Sequence, residues 1–171
     1  GHNDVTRALF SASGISLPET SKSTAILLGA SLSAGQQLDQ ILDEKKQELQ
    51  KLALRLKLMP SHDSLFLLHN VLAAPRLMYL LRSAPCTDSP VLPLYDEVLR
   101  NSLSATLNVD LDDERWRQAS LPVRWGGLGV RSAVLLAPSA YLASAASTTE
   151  LASNLLPVRL RNAVDSGHRT C

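Results

Sequence analysis

Three glycines fall within four positions of the string Trp125-Gly126-Gly127-Leu128-Gly129, and this string restricts the fold more than any other. Glycine adopts backbone conformations that other residues avoid, so the string predicts a tight turn rather than a helix. We expect Trp125 and Leu128 to turn back from it into the core. A connector whose glycines allow close packing is favoured over a ligand-binding loop. The known phosphate-binding glycine patterns do not fit, because they need a preceding strand and a fixed spacing, and this loop has no lysine.

The composition favours packed helices. Hydrophobic residues make up 45% of the 171 residues, but aromatic residues only 4%. Leucine and alanine supply most of the apolar content, and this mixture suits helices better than a sheet. We predict a mainly α fold, a compact multi-helix bundle with one short extended segment near residues 24–29. Two parts are expected: residues 1–32, with an N-terminal helix, a loop and a short strand, and residues 33–171, a helical domain with the glycine corner at 125–129.

Apolar periodicity and helix stop signals predict the element boundaries. The predicted helices are 4–13, 33–58, 61–82, 92–107, 113–120, 133–137, 138–146 and 150–165. Ser33 is expected to cap the first long helix, and Pro75 to kink or restart the next. Asp110 or Asp112 caps 113–120, and Ser132 caps 133–137. The extended segment has no evident partner strand, so we expect helices or another copy to cover its edges.

Polar side chains on the two long helices form a second pattern. His62, His69 and Arg76 are seven residues apart, which places them on one seam of an otherwise apolar helix. The seam faces carboxylates of neighbouring helices or stays open to phosphate, and the first alternative is favoured. Lys45 projects into an apolar stripe. We expect its stem to cover apolar surface while its amine reaches water or a carboxylate.

Charge and residue types exclude several functions. The formal charge is only +1, from 17 basic and 16 acidic residues, so any affinity for nucleic acid must be local. No ligand set for a metal or cofactor is evident, and the acidic residues at 110–114 are expected to complement a helix start rather than bind calcium. Cys86 and Cys171 are predicted to be free thiols in a reducing, intracellular compartment, nuclear or cytoplasmic. No apolar run reaches the roughly 20 residues that span a bilayer, so no membrane is expected.

The string from Ala119 to Ala133 resembles the segment that follows the palm in reverse transcriptases of retrotransposons, particularly the type without long terminal repeats. Supporting pieces occur in the same order: Leu27-Leu28-Gly29-Ala30, Leu65-Phe66-Leu67-Leu68, Ala74-Pro75-Arg76-Leu77, Tyr79-Leu80-Leu81-Arg82, Tyr95-Asp96 and Trp116. The resemblance covers about residues 25–147 and implies a thumb and connection region. The paired-aspartate motif of the catalytic palm is missing from this sequence, since Asp112-Asp113 stand at a helix start. We therefore predict no catalytic residue and no enzyme.

Two functions remain open. The resemblance implies a thumb that holds a template-primer duplex, RNA–DNA or RNA, weakly and independently of sequence. The contacts to its backbone are predicted at Arg76, Arg82, Arg124, Arg131, Lys51 and Arg55. The alternative is a transposon-derived module that binds protein through apolar helix faces. Near-neutral charge and few aromatic residues favour the alternative, whereas the ordered motifs favour the thumb as an origin. The oligomeric state is left open.

Overall fold

A computed structural model describes residues 25–155, apart from the side chains of residues 152 and 153. The elements are β1 (Ile26–Leu27), β2 (Ala30–Ser31), α1 (Gln36–Leu56), α2 (Ser61–Leu67), a π-helical segment (Leu68–Leu72), α3 (Ala74–Ser83), α4 (Val91–Leu107), α5 (Asp113–Ser120), a 3₁₀ turn (Val123–Trp125) and α6 (Ala133–Leu155). The predicted mainly α bundle is confirmed. The predicted helix at 4–13 and residues 156–165 of the last predicted helix lie outside the described residues.

Leucine stripes from three helices form the core. The side chains that are at most 1% exposed include Leu38, Leu42 and Leu49 of α1, Leu77 and Leu81 of α3, and Leu92, Leu99 and Leu103 of α4. α1 packs along α4, and α3 packs along α6. α4 also contacts α6 and α2, so α4 is the helix that joins the two pairs. Burying these stripes is the main stabilising contribution, at about 25 cal/mol per Å² of apolar area.

The helix predicted at 61–82 is divided into two helices in the structure, α2 and α3. A π-helical segment leads to Ala73, whose backbone leaves the helical region (φ −72°, ψ −124°). Pro75 then lies in the first turn of α3, where its missing N–H costs nothing. The buried Tyr95 hydroxyl donates to the Leu72 carbonyl at 2.8 Å. The predicted restart at Pro75 is therefore observed.

Three predicted helix starts are wrong. Gly35, with φ 130°, takes the N-cap position of α1 in place of Ser33, and no side chain caps that end. Pro138 does not begin a helix but lies inside α6. The last predicted helix does not begin at 150 either, because α6 is continuous from Ala133 to Leu155. A proline leaves the carbonyl four residues earlier without its helical donor, which here is Val134. Both residues are exposed, and the helix continues past the proline to Leu155.

The extended segment forms a hairpin, so the expectation that it lacks a partner strand is wrong. β1 pairs antiparallel with β2, with Ile26 opposite Ser31 and Leu27 opposite Ala30. Leu28 and Gly29 form the turn with positive φ values of 51° and 82°, as a type I′ turn requires. Ala30 and Ser31 are buried against α1, and the Tyr79 hydroxyl of α3 donates to the Leu28 carbonyl at 2.7 Å. The hairpin is thus attached to the bundle.

One helical stretch among the described residues, Ser61–Ser83, is long and apolar enough to cross a membrane by length and composition. Within its most apolar window, 44% is buried inside the bundle. The core helices of many soluble proteins pass the same test, so this stretch is weak evidence for a membrane.

The thiol of Cys86 is buried and free. Desolvation, with a smaller effect from the Asp39 carboxylate, raises the pKa of Cys86 to about 11. A thiol with so high a pKa carries little thiolate at neutral pH and is a poor nucleophile. Cys171 lies outside the described residues.

Candidate nucleic-acid interface

The glycine corner closes a loop of residues 119–129, which we call the corner loop. Three backbone N–H groups close it, donating from Leu128 to Ala119 (3.0 Å), from Gly129 to Leu121 (2.9 Å) and from Gly127 to Pro122 (3.2 Å). The Gln118 side chain of α5 also donates to the Gly126 carbonyl at 2.9 Å. The tip of the loop is therefore held by backbone hydrogen bonds and needs no apolar anchor in the core.

A different physical reason favours glycine at each of the three positions of the corner. Gly126 and Gly129 have positive φ values of 79° and 72°, which confirms the predicted left-handed backbone. The φ of Gly127 lies outside the left-handed region, but there is no space for a side chain at this position. A Cβ there would lie 2.0 Å from the Leu121 carbonyl oxygen. A Cβ at Gly129 would meet the His69 ring at 2.7 Å. The corner depends on both conformation and close contact.

The expectation that Trp125 packs into the core is wrong. Trp125 is 64% exposed and Val123 is 67% exposed, because the 3₁₀ turn after Pro122 points them outward. Leu128 is partly buried against the core, and Val130, at 0% exposure, is the residue after the corner that lies within it. The Arg124 guanidinium carbon lies 5.1 Å from the centroid of the Trp125 ring, a cation–π distance. The loop tip thus presents a cation stacked on an indole to solvent.

This placement predicts that Trp125→Ala changes the free energy of unfolding by less than about 1 kcal/mol, because the mutation removes only an exposed contact. Val130→Ala is the matched comparison, with an expected loss of about 2 kcal/mol from a filled core position. Urea denaturation followed by circular dichroism measures both. If Trp125→Ala lowers the free energy of unfolding as much as Val130→Ala does, the indole packs in the core and the exposed placement is wrong.

The six predicted nucleic-acid contacts lie on three parts of the structure. Arg124 is at the tip of the corner loop and Arg131 just beyond its end, both exposed. Lys51 and Arg55 are exposed one turn apart on α1, and Arg82 is exposed in the last turn of α3. In the described part of the chain, no carboxylate pairs with any of these five. Their charges are therefore free to meet an anion.

Arg76 differs from the other five. Its guanidinium donates to the Glu48 carboxylate of α1 at 2.5 Å, and Lys45 donates to the same carboxylate at 3.1 Å. The hydrogen bonds from Arg76 and then Lys45 hold the pKa of Glu48 below its ordinary value. The Arg76 Nε is buried and has no partner among the described residues. The charge of Arg76 is thus engaged within the bundle, and Arg76 leaves the candidate interface.

The three residues of the predicted polar seam, His62, His69 and Arg76, lie in different environments. Arg76 meets a carboxylate, as the favoured alternative requires, and Lys45 reaches one as predicted. His69 instead lies against Gly129 of the glycine corner. His62 is exposed. His69 therefore supports the corner loop from the side of the π-helical segment.

Asp96 holds the downstream side of the corner loop. The sequence patterns do not predict this role, since they indicate Ser132 alone as the cap. The Asp96 carboxylate accepts hydrogen bonds from the Ser132 hydroxyl at 2.5 Å and from the N–H groups of Ala133 at 2.7 Å and Val134 at 3.2 Å. Burial raises the pKa of Asp96, and these hydrogen bonds oppose the rise. The available signal was a carboxylate in the core stripe of α4, one turn after Leu92. Ser132 also caps α6 as predicted, accepting from Leu135 N–H.

The start of α5 fixes the upstream side of the corner loop. Asp112 is the N-cap, and its side chain accepts from Arg115 N–H at 2.8 Å, which confirms one of the two predicted caps. Arg100 of α4 donates to the Leu111 carbonyl and to Asp113, each at 2.6 Å. Trp116 of α5 is partly buried against the core. Within residues 25–155, no three acidic, histidine or cysteine side chains are grouped to hold a metal ion.

Comparison of the chain with protein-family models, with curated proteins and with solved structures found no match. The resemblance of the glycine-rich string to retrotransposon reverse transcriptases therefore stays a prediction. The corner loop itself offers one exposed cation, Arg124, beside an exposed indole, a combination suited to contact with a nucleic-acid backbone.

Proposed function

We propose that this chain is a non-catalytic, thumb-like module that holds an RNA–DNA duplex through contacts to its backbone, with the corner loop as the contact surface. The exposed Arg124–Trp125 pair on a hydrogen-bonded loop carries the proposal. An indole left in solvent contributes nothing to the core, so it is available to a partner. Arginine contacts phosphate, and aromatic rings stack on bases or sugars at strand ends.

Arg131 is a second exposed cation close to the corner loop in sequence, and we include it in the proposed contact surface. It lies two residues after Gly129, between the corner loop and the Asp96-capped start of α6, and it is exposed. A site with so few cations makes few phosphate contacts, so binding is weak and independent of sequence. Each contact contributes about 0.9 to the slope of log affinity against log salt concentration, so binding is also sensitive to salt.

The test is fluorescence anisotropy of a labelled RNA–DNA hybrid duplex titrated with the full chain. Binding is expected at low salt and at or below ~100 μM protein. The double variant Arg124→Gln, Arg131→Gln is expected to reduce the salt slope by about 1.8, the value for two phosphate contacts. The loss should be alike on duplexes of different sequence, because backbone contacts do not distinguish bases.

The matched control is Lys45→Gln, Lys46→Gln, which removes the same formal charge. These two cations already pair with Glu48 and Asp43, so the control is expected to bind as the unmodified protein does. Equal weakening by both double variants would show that only total charge matters. No binding at ~100 μM protein would favour the protein-interaction function.

The alternative, a protein-interaction module, has its own observation. The β-hairpin presents apolar side chains to solvent: Ile26 is 50% exposed, Leu27 59% and Leu28 86%. Leu32 and Tyr79 beside it are 53% and 51% exposed. An apolar group of this kind is typical of surfaces that bind protein. It favours the alternative if the duplex titration shows no binding.

A further inference from the structure

The 3₁₀ turn at the tip of the corner loop holds Trp125 in place through its backbone. The Trp125 N–H donates to the Pro122 carbonyl at 2.9 Å. The next N–H, that of Gly126, donates to the Val123 carbonyl at 3.0 Å. The Gly126 carbonyl in turn accepts from the Gln118 side chain at 2.9 Å. The backbone on both sides of the indole is therefore ordered before any partner arrives, which lowers the entropy cost of binding through it.

The indole of Trp125 has a cation beside one face and much of its remaining surface in solvent. The Arg124 guanidinium carbon lies 5.1 Å from the ring centroid. The residue is nevertheless 64% exposed, whereas an indole covered on both faces would expose little more than its edge. The face opposite Arg124 is therefore available to a second flat group.

The chemistry of the loop tip matches that of a nucleotide. Arg124 is the only charged residue from Ala119 to Val130, so the loop joins a π-face to one positive charge and has no carboxylate of its own. A nucleotide has the complementary groups, a flat base and a phosphate. A guanidinium stacks through its face and donates through its edge, so Arg124 can remain on the ring and donate to a phosphate. The tip therefore fits a nucleotide whose base is accessible.

Bases inside a continuous duplex do not offer an accessible face. Each is covered on both sides by its neighbours, and inserting a side chain between them requires unstacking. At a strand end, or where a duplex meets a single strand, one face of the last base is uncovered. Stacking of such a base on an aromatic side chain strengthens binding roughly tenfold and tolerates every base type. An indole at the loop tip therefore favours an end without adding a sequence preference.

We propose that Trp125 stacks on the exposed base at a strand end, so that the substrate class is a duplex with an open end or a single-strand junction rather than a continuous duplex. Arg124 stays on the other face of the indole and contacts the nearby phosphate. This rests on the proposed function and adds to it the part of the nucleic acid that is recognised. The backbone contacts hold the duplex, and the indole selects the place along it where the complex forms.

The test follows the two indole N–H signals of the full, isotope-labelled chain by NMR, in titrations with a short RNA–DNA hybrid duplex and with one three times as long. The Trp125 signal is expected to move upfield in the ring current of the stacked base. The signal of Trp116, partly buried against the core, is the internal control and should not move. At equal base-pair concentration the short duplex supplies three times as many ends. Its half-maximal shift is therefore expected at one third of the base-pair concentration that the long duplex requires.

Substitutions at Trp125 separate stacking from simple apolar contact. Trp125→Ala is expected to weaken binding of the short duplex roughly tenfold. Trp125→Leu keeps an apolar side chain without a π-face, so it should weaken binding as much, whereas Trp125→Phe keeps the stack and most of the affinity. Leu135→Ala, which removes an apolar side chain of α6 that is 72% exposed, is the matched control and should bind as the unmodified protein does. Anisotropy of the labelled short duplex measures all four, and circular dichroism checks that each variant is folded.

Failure of end stacking and failure of duplex binding give different results. Duplex binding with an unmoved Trp125 signal, or with half-maximal points at equal base-pair concentration, would overturn end stacking and leave the backbone-contact function standing. Trp125→Leu binding as tightly as Trp125→Phe would do the same, because the contact would then be apolar rather than stacked. No binding at ~100 μM protein would overturn both. A Trp125 shift with phosphatidylserine vesicles but not with duplex would also overturn both, since the loop tip would then contact a membrane surface.

Discussion

Replacement of Gly127 by alanine is expected to lower the free energy of unfolding by about 3 kcal/mol, because the corner has no space for one methyl group. A Cβ at this position would lie 2.0 Å from the carbonyl oxygen of Leu121 and 2.5 Å from its carbonyl carbon. These are backbone atoms, which do not rotate away as a flexible side chain does. The same carbonyl accepts the Gly129 N–H that closes the corner loop. Any shift that makes room for the methyl group breaks that bond.

The other two glycines are the comparison, because their restrictions differ. Gly126→Asn is expected to cost less than about 1 kcal/mol, since asparagine tolerates the left-handed backbone that φ 79° requires. Gly129→Ala is expected to cost about 1–2 kcal/mol, since φ 72° strains alanine and the ring of His69 must move. Urea denaturation followed by circular dichroism measures all three. If Gly127→Ala is no less stable than Gly126→Asn, the contact with Leu121 does not restrict the corner.

Signals carried by neighbouring residues were sufficient to predict much of the fold. Helix α5 was predicted with its observed limits, 113–120, because Asp112 caps it through a bond to Arg115, three residues away. The restart at Pro75 follows from the missing N–H of proline. The hairpin was missed because Leu28 adopts φ 51°, and leucine is not a residue that signals such a turn.

Features that depend on packing between distant residues were not predictable from the sequence. Periodicity placed Arg76 on a polar seam, but its partner Glu48 is 28 positions away, so the ion pair depends on how α1 and α3 pack. Trp125 is expected in the core because the predicted turn at the glycines brings it back toward the helices. Backbone hydrogen bonds hold the corner loop instead, and they leave the indole outside. The candidate interface therefore keeps the exposed cations and loses Arg76.

The second substitution that we expect to have a large effect on stability removes the carboxylate of Asp96, which caps α6. Asp96→Ala is expected to lower the free energy of unfolding by about 3 kcal/mol, because three donors at the start of α6 lose their acceptor. These are the Ser132 hydroxyl and the N–H groups of Ala133 and Val134. Ser132 and Ala133 are buried, so water replaces the carboxylate poorly; Val134 is 38% exposed and recovers part of its loss. The same substitution removes the hydrogen bonds by which Asp96 of α4 holds the start of α6.

Asp112→Ala tests the same interaction at a solvent-exposed helix start. The Asp112 side chain is 60% exposed and accepts one N–H group, from Arg115, so its loss is expected to cost only about 1 kcal/mol. Asp96→Asn should fall between the two alanine variants, because the amide keeps one acceptor oxygen but turns an NH₂ group toward the donors. Urea denaturation of the three variants gives the order directly. If Asp96→Ala costs no more than Asp112→Ala, Ser132 alone caps α6, and the buried carboxylate does not hold the downstream end of the corner.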